Sequence, residues 1–349
     1  MNIKHNIDRH GRPHTYIRIS LTDRCNLSCS YCMPKNGLNL SDLNDQLRPD
    51  EIIKIIRISA LFGINKVRFT GGEPLCRKDI DRIISAVKNI KGIERVSITT
   101  NGVLLSKRIN ALKEAGIDSI NISLDSLNPE RFSAITGKDV FNEVMNGIFM
   151  AVELGFRPKV NVVALNDLDT DEVDRFYAFA SKHPIVVRFI EFMPLCGENI
   201  GDVKFSSVKW LEQYIVEKYK LKNAYMDGVA KIYPLNGKEK GAIGIISPIS
   251  HPFCSDCNRL RISSAGILYG CLFDSRGINI RNILRNGAGE ETIMNLFEQV
   301  LLWKNPSHGL DEPLLKERMS EIKNLIRLIG GYCILIYFPI LRGGVYGEQ

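Results

Sequence analysis

Six cysteines in two tight groups constrain this chain more than any other feature. They are Cys25-x3-Cys29-x2-Cys32 and Cys254-x2-Cys257-x13-Cys271. Cys76, Cys196 and Cys333 are scattered and read as ordinary small apolar side chains. A disulfide framework does not suit a chain of 349 residues with an odd count of nine cysteines and only a short polar stretch, Met1 to Pro13, before the strand that precedes the first group. The expected location is cytoplasmic, where clustered thiols carry metal or redox chemistry.

Structural zinc takes four ligands. Each group here offers three, and the one nearby histidine is His251, three residues before Cys254. His5, His10, His14, His183 and His308 have no ligand spacing and are expected to be solvated or capping. Three thiolates suit a cubane iron–sulfur cluster whose fourth iron stays open to a ligand. A zinc knuckle remains an alternative for the second triad.

Composition and charge narrow the partners. At 44% apolar and 24% charged, the chain is an ordinary globular protein. No stretch approaches 18 uncharged apolar residues, so no membrane span is expected. A net charge of +7 without a basic block allows an anionic ligand and does not suggest nucleic acid.

From residue 15 to 191, short apolar strands alternate with amphipathic helices. The strands are expected at Tyr16–Leu21, Lys66–Thr70, Arg95–Thr99, Ser119–Leu124, Lys159–Ala164 and Val186–Phe192. Helices are expected at Pro49–Phe62, Lys78–Ile90, Ser106–Ala115, Phe141–Leu154 and Thr170–Ser181. Six βα units imply a parallel sheet, open or curved toward a barrel. Ligands in such folds bind beyond the carboxyl ends of the strands. Cys25–Cys32, Gly71-Gly72-Glu73-Pro74, Thr99-Thr100-Asn101-Gly102 and Ser123-Leu124-Asp125 all fall at that rim. Glu73, Asp125 and Glu191 read as turn-fixing groups rather than general bases. In strand 2, Lys66 and Arg68 share one face.

The first triad with Tyr31, followed by Gly-Gly-Glu-Pro, resembles the radical S-adenosylmethionine (SAM) enzymes. Further motifs run in order: Thr22–Leu27, Arg68–Leu75, Asn121–Asp125, Arg188–Met193, Phe253–Arg261 and Tyr269–Leu272. Together they closely resemble the GTP 3′,8-cyclase family over about residues 11–300.

The resemblance implies an incomplete (β/α)6 TIM-like barrel with a C-terminal extension that carries an auxiliary cluster. Its parts would be an N-terminal segment (1–14), the barrel (15–235), the auxiliary-cluster region (236–331) and an atypical tail (332–349). It implies two [4Fe-4S] clusters, on Cys25, Cys29 and Cys32 and on Cys254, Cys257 and Cys271. SAM contacts would come from Tyr31, Gly72, Glu73, Thr99, Ser123, Asn161 and Met193. GTP contacts would come from Arg18, Lys66, Arg68, Lys159, Arg188, Arg259 and Arg261.

The implied reaction is radical cyclisation of GTP to 3′,8-cyclo-7,8-dihydro-GTP, the first step of molybdenum cofactor biosynthesis. The implied partners are a one-electron reductant of flavodoxin or ferredoxin type, cyclic pyranopterin monophosphate synthase downstream, and a second copy in a homodimer. Alternatives are another radical SAM enzyme of peptide-maturase type and a non-enzymatic zinc-stapled binding protein. One departure stands out. The family typically ends in a free Gly-Gly tail that reaches the active site, but here Gly330-Gly331 precedes eighteen more residues. The expectation is a masked tail and lowered activity.

Overall fold

The computed structural model describes residues 6–32, 42–193, 207–235, 240–274 and 276–308. Cys196, Cys333, Gly330-Gly331 and the 332–349 tail lie outside them.

Six parallel strands follow one another in chain order: β1 (Tyr16–Ser20), β2 (Lys66–Thr70), β3 (Arg95–Thr100), β4 (Ser119–Ser123), β5 (Lys159–Ala164) and β6 (Val186–Glu191). The helices between them are α1 (Pro49–Leu61), α2 (Ile80–Lys88), α3 (Leu105–Glu114), α4 (Pro129–Thr136), α5 (Phe141–Glu153) and α6 (Thr170–Lys182). Caps account for several starts. The Asn128 side chain accepts from the Arg131 N–H at α4, and the Asp169 side chain accepts from the Glu172 N–H at α6.

Beyond α7 (Lys209–Tyr219) come β7 (Tyr225–Asp227), β8 (Ala230–Pro234), β9 (Ala242–Ile246), β10 (Arg259–Ile262), β11 (Ile267–Tyr269) and β12 (Gly277–Asn279). Then follow α8 (Ile280–Arg285) and α9 (Glu290–Trp303). All twelve strands join one sheet, in the order β12-β11-β10-β1-β2-β3-β4-β5-β6-β9-β8-β7. Because β9 pairs parallel to β6 and β10 parallel to β1, the parallel run is eight strands. The sheet is continuous across residue 235.

Alternation along the strands separates two chemistries. Ile17 and Ile19, Val67 and Phe69, and Val96 and Ile98 are buried against the helices. Each such side chain contributes roughly 1.5–3 kcal/mol by leaving water. The opposite face of β1, β2 and β10 carries Tyr16, Arg18, Lys66, Arg68, Arg259 and Arg261. Side chains from β1 to β6, β9 and β10 nevertheless line a single cavity. Eight strands lying flat would span roughly 34 Å at the usual spacing, so the sheet is curled around that cavity. The fold is therefore an open, incomplete barrel with a charged interior in place of a packed one.

Candidate active site

The loop after β1 carries the first triad and is held by backbone pairing past the strand ends. Gly72 N–H donates to Thr22 O (2.8 Å) and Glu73 N–H to Arg24 O (2.7 Å). Side chains at 71 and 72 would prevent this. A Cβ at Gly71, whose φ is +146°, would lie 2.5 Å from Thr22 O, and one at Gly72 2.2 Å from Arg24 O. The close approach that these glycines allow is thus to the chain's own cysteine loop.

Glu73, 0% exposed, closes the corner. Its Oε1 accepts from Leu75 N (2.9 Å) and Thr100 Oγ1 (2.7 Å), and its Oε2 from Asn101 N (2.6 Å). Burial pushes this carboxyl up to about 7 against those three donors. Asp125 accepts from Tyr31 Oη (2.6 Å) and Val163 N (2.8 Å), and Glu191 binds the Ile249 and Ser250 amides. All three acids fix turns.

Cys25, Cys29 and Cys32 line a small cavity with Tyr31, Asn101, Ser123 and Asp125. Burial, with Glu73 nearby, pushes the Cys25 thiol up to about 11; burial also raises Cys29. Ser28 and Ser30 N–H bond the carbonyls of Thr136 and Ile135, so the loop rests on the end of α4.

The second triad lies at the other rim. Cys254 and Cys257 precede β10, whose Arg259 pairs with Tyr16 at the start of β1, and Cys271 returns beside them after β11. At about 3.3 Å per residue, the two rims of β1 are roughly 16 Å apart. Cys254, Cys257 and Cys271 line the large cavity, about 300 Å³, and also a smaller one of about 110 Å³ behind it. Burial raises the Cys254 thiol. It pushes Cys257 up too, but the Arg259 and Lys304 charges prevail and bring that thiol down to about 6.

None of the seven described cysteines is in a disulfide. Among the described residues, no three His, Cys, Asp or Glu side chains converge on a single-ion site. Three thiols at each site, with the nearby His308 ring engaged through Nε2 by the Pro248 carbonyl (2.9 Å), suit a cubane cluster with an open iron better than a four-ligand zinc knuckle. His251 is exposed and lines neither of these two cavities.

Every cation expected around the anionic ligand lines the large cavity: Arg18, Lys66, Arg68, Lys159, Arg188, Arg259 and Arg261. Register explains the convergence. Arg261, Arg18 and Arg68 sit at one level on three adjacent strands, and Lys66 and Arg95 at the level below. Burial, with Arg18 and Arg259 close by, pushes the Arg261 guanidinium down. So dense a set of like charges is relieved by a polyanion.

Several pairs pre-set the side chains. Arg188 donates twice to Asn161 Oδ1 (3.0 and 2.6 Å), Arg68 donates to Tyr16 Oη, and Lys159 pairs with Asp227. The Arg259 guanidinium lies over the Phe253 ring, 4.8 Å from its centre. Asp227 is the one carboxylate among the described residues lining the cavity.

The residues expected around SAM divide along the strands. Tyr31 and Ser123 line the first triad's cavity, whereas Thr99, Asn161 and Met193 line the large one. Gly72 and Glu73 lie within the wall. Residue pairs two apart, Asn121 with Ser123 on β4 and Thr99 on β3 with Asn101 just past its end, line one cavity each.

Sequence reasoning missed Tyr16, Arg95 and Asp227 in the lining, and Arg12, Lys304 and His308 beside the second triad. Tyr16 shares the face of Arg18 by simple alternation, which could have revealed it. His14 is fully buried rather than solvated; burial and the Lys304 charge push it down to about 3. Cys76 is exposed and lines neither triad's cavity.

Comparison with known proteins follows this geometry. Residues 19–180 match the Radical SAM superfamily and residues 185–310 match Molybdenum Cofactor Synthesis C. A GTP 3′,8-cyclase of Syntrophomonas wolfei is 41% identical over 315 residues, 87% of this chain and 95% of that protein. A GTP 3′,8-cyclase of Clostridium botulinum is 37% identical, covering 93% of this chain and all (100%) of its own. Among solved structures, SuiB of Streptococcus suis shares the fold at a TM-score of 0.61 and 14% identity, over 94% of this chain and 79% of that one. On these matches, the chain belongs to the GTP 3′,8-cyclase family of the radical SAM superfamily.

Proposed function

We propose that this protein converts GTP and SAM to 3′,8-cyclo-7,8-dihydro-GTP, the first step of molybdenum cofactor biosynthesis. One observation carries the reading. A single cavity joins eight lining cations to the second triad, and the first triad stands at the opposite rim. When bound, a cluster on each triad, together with SAM, would supply an electron, a carbon radical able to take a ribose hydrogen, and an open iron for a base.

The chain's own residues do the rest. Arg18, Arg68 and Arg261 present parallel forks to phosphate oxygens, and a triphosphate carries about four negative charges. The Arg188–Asn161 pair fixes a guanidinium between the two ends of the cavity. Thr99 and Met193 line the large cavity, Tyr31 and Ser123 line the first triad's, and Gly72 and Glu73 hold the wall beside it. Leu272 and Phe273 help enclose the second end against water.

The same reading places the auxiliary-cluster region at 236–331 and the protein in the cytoplasm. It assigns a flavodoxin- or ferredoxin-type reductant, cyclic pyranopterin monophosphate synthase as the consumer of the rearranged product, and a homodimer. Among the described residues no helix is long and apolar enough to cross a membrane.

The test is anaerobic reconstitution with metal analysis, then incubation with reductant, SAM and GTP. About eight irons per chain are expected for two cubanes, with 5′-deoxyadenosine formed only when GTP is present. Two zincs and no SAM cleavage would overturn the proposal.

A further inference from the structure

Two buried cations from outside the cysteine motifs converge on the second triad. Arg12, 7% exposed, donates from Nη1 to the carbonyl of Cys254 (2.7 Å). Lys304, 2% exposed, donates from Nζ to Gly270 O (2.6 Å) and Arg259 O (3.1 Å), and lies 3.8 Å from Cys257 Sγ. An ammonium has three N–H donors, and three acceptors surround this one. Arg259 lies two residues after Cys257, and Gly270 immediately precedes Cys271. Lys304 therefore ties the Cys257 arm to the Cys271 arm, and Arg12 holds the Cys254 arm.

The surroundings are shaped for this contact. A Cβ at Gly270 would lie 2.8 Å from Lys304 Cγ, so the glycine before the third cysteine leaves room for the lysine. Arg12 also donates to the carbonyls of Asn305 (2.8 Å) and Pro306 (3.0 Å), joining its own arm to the segment that carries Lys304.

The two cations differ in charge balance. Arg12 is neutralised by Asp8 at 2.7 Å. Among the described residues no carboxylate pairs with Lys304, whose donors meet only carbonyls and a thiol. A buried charge without a counter-charge is costly, which points to an anionic partner. Three thiolates around an iron–sulfur core are such a partner, and charge and hydrogen bonds at the sulfurs set the core's potential.

We propose that Lys304 is a positioning and charge-compensating residue for an iron–sulfur cluster on Cys254, Cys257 and Cys271, while Arg12, already neutralised by Asp8, fixes geometry alone. The proposal rests on reading that triad as a cluster site. Lys304 would raise the affinity for the cluster and its reduction potential, and would do neither for the first triad.

The test uses the reconstituted full-length chain with Lys304→Met, Lys304→Gln and Lys304→Arg. Iron is counted, and both clusters are titrated by electron paramagnetic resonance under controlled potential. Lys304→Met is expected to drop iron from about eight to about four per chain by emptying the second triad. Lys304→Gln keeps donors but not charge, and is expected to lower the second cluster's potential while leaving the first unchanged. Lys304→Arg restores it. Should Lys304→Met fail to fold, the Gln and Arg variants decide the matter. Equal potentials in Lys304→Gln, Lys304→Arg and the unsubstituted chain, with full iron, would overturn the proposal. Zinc in the second triad of the unsubstituted chain would instead overturn the iron–sulfur reading itself, and this role with it.

Discussion

The two triads present the same three thiols in opposite electrostatic settings. The first is packed among Leu27, Ile135, Val163, Leu165 and Phe192, with its loop clamped by Glu73, and burial pushes the Cys25 thiol up to about 11. The second is half-buried beside Arg259 and Lys304, whose charges bring Cys257 down to about 6 despite burial. Three thiolates in a lining that holds no lysine or arginine suit a ligand that brings its own positive sulfonium. A cationic end suits one that brings about four negative charges. One sheet serves both: the second triad lines the large cavity at its amino rim, and the first lines a separate small cavity at its carboxyl rim.

The sharpest way to break this comparison is to remove one end at a time. Cys29→Ser should abolish SAM cleavage, and Cys257→Ser should abolish cyclisation. Each should hold about four irons in place of about eight. If either variant retains both full iron and product formation, the ends are not distinct.

Gly72→Ala comes next. A methyl 2.2 Å from Arg24 O must displace the cysteine loop. Iron analysis should show the first cluster depleted and the second retained. A full complement would mean that the glycine is incidental.

The cationic end is probed with Arg68→Ala and Arg261→Ala. Each removes charge-assisted bonds of roughly 1.5–3 kcal/mol, so KM for GTP should rise about 10- to 100-fold with KM for SAM unchanged. Equal effects on both substrates would blur the two ends.

Acidity gives a subtler contrast. His14, held near 3 against 6.5 when free, contributes stability that is present above pH 6.5 and lost as pH falls toward 3. Glu73, raised to about 7 from 4.5, contributes stability that is present below pH 4.5 and lost as pH rises through 7. In urea denaturation, His14→Phe should flatten the loss of stability on the acid side and Glu73→Gln the loss of stability between pH 4.5 and 7, each by up to about 1.4 kcal/mol per pH unit. An unchanged profile would show that neither group titrates as described.

The smallest effect is expected for Asp227→Asn. Removing the carboxylate that pairs with Lys159 should tighten GTP binding a few-fold by calorimetry, and weaker binding would make Asp227 a ligand contact instead.

How much was legible depends on periodicity. Strands β1 to β6 repeat an alternation that survives without context, and their limits fell within a residue of the expected ones. The helix α4 escaped notice because it is only eight residues, although Asn128 and Pro129 mark its start. Strands β7 to β12 are three to five residues long, and two of them, β9 and β10, are completed by partners far away in sequence. At the site, Arg18 and Arg68 declared themselves as charges on a strand face. Arg12 and Lys304 did not, because one precedes β1 and the other follows α9, and only the tertiary fold brings them to Cys254 and Cys257.

The most direct test follows one hydrogen. GTP carrying deuterium at the ribose 3′ carbon is incubated with the reconstituted chain, SAM and reductant, and the 5′-deoxyadenosine is analysed by mass. Deuterium should appear in it when both triads are intact, and should vanish in Cys257→Ser. Cleavage of SAM without deuterium transfer in the intact chain, or undiminished transfer in Cys257→Ser, would contradict two cluster sites that act on one substrate.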